Sequence, residues 1–286
     1  MRYIRQEIFA EIGKKGQQKL GKSSVAVVGL GALGSVSASL LARAGIGKLI
    51  LIDRDVVELS NLQRQNLFDE SDVGKPKALA AKEHLSEINS DIEIIPIIDD
   101  LNFNNINEIL AVYNNEKSNN TTLIKKIINN KINKKTISIK SFNKEKFNKT
   151  LENQRFIENA VHFRSARKSK DFRHSGHIKS ERFYRESKNS KNEINLILDC
   201  TDNLETRFLL NDYCIKNKIP FIYSSAVGSK GYVFNIIPNK TPCLRCFLKE
   251  AAQLDTCDTV GVVNTITNLI SSIQSNEAVK ILLGKE

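Results

Sequence analysis

The chain has 286 residues, 41% of them apolar, which is room for one large α/β domain or two small ones with a substantial core. No run of about 18 apolar residues occurs and Met1-Arg-Tyr-Ile-Arg-Gln-Glu lacks the apolar centre of a secretory leader, so neither a membrane span nor export is expected. The net charge of +11 is local: 21 of the 43 Lys and Arg but 7 of the 32 Asp and Glu fall in residues 114–191, a net of +14, which leaves −3 for the rest. Five cysteines, an odd number with two spaced Cys243-x-x-Cys246, argue against a disulfide framework and for a cytoplasmic location.

Residues 2–20 carry a loose helical periodicity that places Tyr3, Ile4, Ile8, Phe9 and Ile12 near one face, with Arg2 and Arg5 at its start. Then comes Val25-Ala-Val-Val-Gly29-Leu-Gly31-Ala32-Leu-Gly34, followed nineteen residues later by Asp53 at the end of Leu49-Ile-Leu-Ile-Asp53. The pattern predicts strand, glycine turn, helix and a second strand ending in a carboxylate. Gly29 permits the tight turn, Gly31 lets backbone approach a phosphate, and Gly34 lets helix and strand pack closely. The helix N-terminus adds unpaired N–H groups and a positive dipole end. Asp53 stands where a carboxylate accepts from ribose hydroxyls.

The polar run from Arg54 to Asn66 follows a strand's carboxyl end, where open parallel sheets bind ligands. Asp72-Val-Gly-Lys75-Pro76-Lys77 leads into a predicted helix over residues 78–88, with Asp72 as cap and Pro76 in the first turn. Residues 92–98 read as a strand. Successive βα units predict an α/β, doubly wound, Rossmann-like and mostly parallel sheet with helices on both faces.

Residues 114–191 break the pattern. They are rich in Asn, Lys, Ser and Ile and read as a long, partly disordered basic insertion into a single domain spanning 1–286. Its scattered aromatics could contact nucleic acid or an acidic protein, but an insertion of no catalytic role is the favoured reading. His174-x-x-His177 within it has no further ligand nearby in sequence and is not read as a metal site. Order resumes with a strand running into Asp199-Cys200-Thr201-Asp202-Asn203, a helix over 204–217, strands over 220–225 and 231–237, and a knuckle-like turn at Cys243-Leu-Arg-Cys246. A last helix over about 261–283 would bury Ile266, Leu269, Ile270, Ile273, Ala278 and Ile281. Cys200 and Cys214 read as small core residues.

Gly29-x-Gly31-x-x-Gly34, Asp53-x-Asp55, Ser60-Asn61-Leu-Gln63-Arg64-Gln, Lys75-Pro-Lys77, Asp199-Cys-Thr-Asp202-Asn203, Pro242-Cys-x-x-Cys246 and Cys257 before Gly261-Val together resemble the ThiF/MoeB/HesA family, relatives of ubiquitin-activating enzymes. The resemblance covers about 1–113 and 193–286. It implies ATP- and Mg²⁺-dependent adenylation of the C-terminal glycine of a ubiquitin-like sulphur-carrier protein ending in Gly-Gly. ATP would be held by Gly29, Gly31, Ala32, Gly34, Asp53, Asp55, Ser60, Asn61, Gln63 and Asn203. Arg64 and Lys77 would stabilise charge on the phosphates, Asp202 would hold Mg²⁺, and Arg5 would reach in from the second subunit of a homodimer. Cys257 matches a cysteine that some relatives use covalently in sulphur transfer. Cys243 and Cys246 match half of a zinc site whose second Cys-x-x-Cys this sequence lacks, so either the chain is truncated, the zinc is lost, or its ligands come from elsewhere. Other readings of the residues are adenylation of a small molecule or tRNA by the same site, an NAD-dependent oxidoreductase, and a non-catalytic binding homologue. Arg64, Lys77 and Asp202 have no purpose in hydride transfer.

Overall fold

Strand β1 (Ser24–Val28) is buried along its whole length, and its neighbours are strands that follow it far apart in sequence. A computed structural model of the chain describes residues 2–111, 194–248 and 257–285. Short helices α1 (Ile4–Ile8) and α2 (Gly13–Leu20) precede β1. After it come α3 (Gly34–Ala44), β2 (Lys48–Ile52), α4 (Lys77–Ile88), β3 (Glu93–Ile97) and α5 (Ile106–Ala111). The second half holds β4 (Leu196–Asp199), α6 (Leu204–Asn217), β5 (Phe221–Val227), β6 (Lys230–Ile236), α7 (Leu244–Phe247), α8 (Cys257–Val260) and α9 (Asn264–Leu283). The insertion expected over 114–191 and His174-x-x-His177 lie outside the described residues.

The sheet has the order β3-β2-β1-β4-β5-β6, parallel except for the antiparallel β5–β6 edge hairpin. Side chains alternate along its buried strands as a period of two requires. Val25, Val27, Leu49, Leu51, Leu196 and Leu198 pack with α3, α4 and α9 on one face. Ala26, Val28, Ile50, Ile52 and Ile197 pack with α5, α6 and α7 on the other. The sheet is therefore doubly wound, as expected, and its order reverses between β1 and β4. Crevices for ligands open at such a switch point, beyond the strands' carboxyl ends.

Three local expectations need correction. Asp72 does not cap α4; it accepts the Asp69 N–H at 3.1 Å within a 3₁₀ turn and takes Lys75 and His84 as partners at 3.0 and 2.6 Å. The helical periodicity over residues 2–20 is not one helix: α1 stops at an extended Phe9 (ψ 113°) and α2 begins at Gly13, and Ile4, Ile8 and Phe9 are exposed. On α9, Leu269 is exposed, whereas Thr267, Ser271, Gln274 and Ser275 are buried among the apolar residues. Ser271 donates to Leu33 O at 3.0 Å, and Gln274 Nε2 to Asp199 O and Ile222 O at 3.1 and 3.2 Å. Ser271 and Gln274 are thus satisfied by carbonyls of distant chain and Thr267 by Asn264 O of its own helix at 2.7 Å, whereas Ser275 Oγ has no partner among the described residues.

Candidate active site

The glycine turn after β1 divides its three glycines by task. Gly29 has φ +86°, and a Cβ on it would lie 2.7 Å from Cys200 O at the end of β4. A Cβ on Gly34 would lie 1.8 Å from Gly29 O. Both positions are closed to side chains by backbone. Gly31 differs, since a Cβ there would meet one heavy atom within 4 Å, Gln65 Nε2 at 3.9 Å. It faces the crevice. Gly34→Ala is therefore expected to cost more than about 4 kcal/mol, a loss reserved for severe core defects, and to abolish a cooperative thermal transition. Gly31→Ala should melt like the wild type and show only weakened nucleotide binding in calorimetry.

Asp53, 9% exposed, fastens this turn. Its Oδ2 accepts the Leu30 N–H at 2.6 Å and its Oδ1 the Asp55 N–H at 2.8 Å. Burial pushes its carboxyl up, opposed by the charge of Lys77. Each carboxylate oxygen keeps a further lone pair for a ribose hydroxyl.

Lys77 is the first residue of α4, yet its side chain is 8% exposed. Its N–H donates to Asp55 O at 2.9 Å and its Nζ lies 3.3 Å from Asp55 Oδ2. Asp55 itself is 58% exposed and also faces Arg54 Nε at 3.6 Å. Arg64 Nη1 donates to Ser60 O at 3.1 Å and has no carboxylate partner among the described residues. Ser60 donates to Glu58 at 3.1 Å, Asn61 is buried in the same turn, and Gln63 is exposed.

At the end of β4, Asp199 is wholly buried and folds the loop beyond it. Its Oδ1 accepts the N–H and Oγ1–H of Thr201 at 2.9 and 2.7 Å, while Arg207 Nε lies 3.7 Å from Oδ2. Desolvation raises the carboxyl of Asp199 and the Arg207 charge opposes it. The same guanidinium donates to Thr201 O and stands 5.1 Å over the Tyr223 ring. Asn203 caps α6, its Oδ1 accepting the Thr206 N–H at 2.8 Å. With that cap supplied, Asp202 is exposed and has no partner among the described residues. Arg207 and Gln274 escaped the sequence reading; an arginine four residues past a helix cap is the one signal that could have raised the first.

The remaining residues fall as follows. Cys243 Sγ and Cys246 Sγ are 3.6 Å apart, close to the roughly 3.8 Å that two thiolates about 2.3 Å from a tetrahedral zinc would show. Among the described residues no third ligand joins them; the one cluster of three, Asp69, Asp72 and His84, is elsewhere and already holds the Lys75 ammonium. The spacing of the pair is that of two of the four ligands a tetrahedral zinc takes. Cys200 and Cys214 are buried, and burial raises both thiols, as core residues should behave. Cys257 opens α8, which the Gly228 N–H to Gly261 O bond of 2.8 Å brings to the carboxyl end of β5. Arg5 is exposed on α1, whose neighbour Tyr3 packs against Gly45 at the far end of α3. Eleven helical residues put it about 16 Å along α3 from the glycine turn.

A doubly wound sheet with a glycine turn, a buried lysine, an arginine and a free carboxylate at its switch point defines a nucleotide-binding α/β domain. The chain belongs to the ThiF family, which it matches over residues 3–116 and 130–286. It is 33% identical to the sulfur carrier protein ThiS adenylyltransferase of Bacillus subtilis (strain 168) over 289 residues, 100% of this chain and 62% of the relative. It is 31% identical to the adenylyltransferase and sulfurtransferase MOCS3 of Aedes aegypti, over 99% of this chain and 47% of that protein. The chain thus spans about half to three-fifths of these relatives. Among solved structures it resembles E. coli MccB with ATP, with a TM-score of 0.61 at 19% identity over 100% of this chain and 65% of that one, a likeness of fold. Among the described residues no helix is long and apolar enough to cross a membrane.

Proposed function

We propose that the protein adenylates the C-terminal glycine of a ubiquitin-like sulphur carrier, with ATP as co-substrate and pyrophosphate as leaving group, in the cytoplasm. The observation that carries the reading is the buried Lys77 beside the glycine turn, with Arg64 and the unpartnered Asp202 at the same carboxyl edge. A carboxylate oxygen of the carrier attacks the α-phosphorus. The bond from that phosphorus to the α–β bridging oxygen breaks, and its electrons leave with pyrophosphate. Two anions meet and a third departs, so the work is positioning and charge stabilisation. Gly31 admits the phosphates, Asp53 and Asp55 face the ribose, and Lys77 and Arg64 offset charge on the phosphate oxygens. Asp202 offers the hard, free oxygen that suits Mg²⁺, which when bound would neutralise phosphate charge.

Arg5 sits on α1, whose neighbour Tyr3 meets the end of α3 away from the glycine turn, and that position supports a homodimer that exchanges the residue. Cys257, in the helix that leads to the carboxyl end of β5, would attack the carrier's acyl-adenylate to form a thioester, with AMP as the leaving group. The Cys243–Cys246 pair would bind zinc with ligands from outside the described residues, and residues 114–191 form an insertion into a single adenylation domain. The test is ATP–pyrophosphate exchange with Mg²⁺, with and without a carrier ending in Gly-Gly. Carrier-dependent exchange that falls at least about 100-fold in Asp202→Ala is expected. Exchange absent with every carrier, in protein that binds ATP, would sink this reading in favour of a small-molecule or RNA substrate.

A further inference from the structure

Beside Gln63, which lies exposed on the turn, a second glutamine occupies a very different place. Gln65 is 3% exposed, and its Nε2 is the single heavy atom within 4 Å of where a Gly31 side chain would begin. Its Oε1 is buried without a hydrogen-bond partner among the described residues, and its Nε2 has none there either. Its backbone is anchored at both ends of the turn, through Gln65 N–H to Asn61 O at 3.0 Å and Phe68 N–H to Gln65 O at 3.2 Å. A side chain kept for packing alone would be apolar or satisfied, because an unmade buried hydrogen bond lowers stability.

We propose that Gln65 is a nucleotide-positioning residue whose Nε2 donates to a phosphate oxygen of ATP in the space over Gly31. The inference rests on the reading that this crevice holds ATP. A neutral amide suits the place. Lys77 and Arg64 already bring positive charge, and an amide adds a directional donor without adding to their mutual repulsion. Its position is fixed by burial, so little side-chain freedom is lost when the bond forms.

Gln65→Met keeps the length and removes both polar atoms. It is expected to melt at or above the wild-type temperature, because an unsatisfied oxygen is gone. ATP affinity in calorimetry should fall about 10- to 100-fold, the usual worth of a bond to a charged group. Adenosine, which has no phosphate, should bind both proteins equally in NMR titrations. Gln65→Glu, nearly isosteric but anionic, should lose more ATP affinity than Gln65→Met and again none for adenosine. Unchanged ATP affinity in both variants overturns the proposal, as does an equal loss for ATP and adenosine, which would mark a structural role. Wild-type protein that binds ATP without carrier-dependent exchange defeats the adenylation reading and leaves this assignment standing. Wild-type protein that binds no ATP overturns both.

Discussion

Replacing Lys77 by methionine is expected to slow ATP–pyrophosphate exchange about 10²- to 10³-fold, the loss that follows removal of one preorganised donor to developing charge. The position breaks one local rule and meets a second only through an exposed partner. A cation at the N-terminus of a helix opposes the helix dipole, and a lysine ammonium is seldom buried unless paired. Here the side chain is 8% exposed, and its partner Asp55 is 58% exposed and hydrated without it. A residue that violates local preference while its partner has no need of it marks a functional site. The fold should survive the substitution, with melting close to that of the wild type.

The pH dependence separates this role from a simple ion pair. Asp53 is pushed up by burial and held back by Lys77. A carboxyl raised in the folded state contributes stability that is complete below its unfolded value and is lost as pH rises through the folded one. Without Lys77 the folded value rises further, so ionised Asp53, which ties down the glycine turn through Leu30 and Asp55, forms only at higher pH. The acid limb of the rate profile should move upward in Lys77→Met. An unmoved limb with less than a tenfold loss of rate would reduce Lys77 to a partner of Asp55.

What could be read in advance was what backbone geometry dictates. The glycine spacing is set by a turn and two close approaches, and the apolar runs of β1, β2 and β4 by burial on both faces. Helix α6 falls at residues 204–217, as expected, because Asn203 caps it locally. Side-chain placement that depends on distant chain was not legible. In the turn between Ser60 and Asn66 no periodicity separates an exposed Gln63 from a buried Gln65. On α9 Ser271 and Gln274 are buried where Leu33 O, Asp199 O and Ile222 O await them, partners about 50 to 240 residues away in sequence. Lys77 was found through resemblance, since nothing in its own helix foretells that it is buried.

The second large effect is expected from Arg207→Met. Asp199 is fully buried, and removing one partner of a buried pair costs about 3–5 kcal/mol by stranding the other charge. For a domain of this size that is a melting temperature lower by about 10 °C. The carboxyl can escape by keeping a proton, so the loss must depend on pH. Its folded pKa is already raised by desolvation and opposed by Arg207. The variant should approach wild-type stability in acid and fall away as pH rises through the elevated value. A loss constant from pH 5 to 8 would instead assign the effect to packing of the guanidinium over Tyr223. Adding Asp199→Asn removes the stranded charge and keeps an oxygen for Thr201, so the double variant should regain most of the melting temperature. It does not regain the bond from Arg207 to Thr201 O, which holds the loop just before Asp202. Exchange should therefore stay depressed in a protein whose stability has returned, and that separation identifies Arg207 as a residue that positions the free carboxylate. Full recovery of exchange would leave it a structural counter-ion.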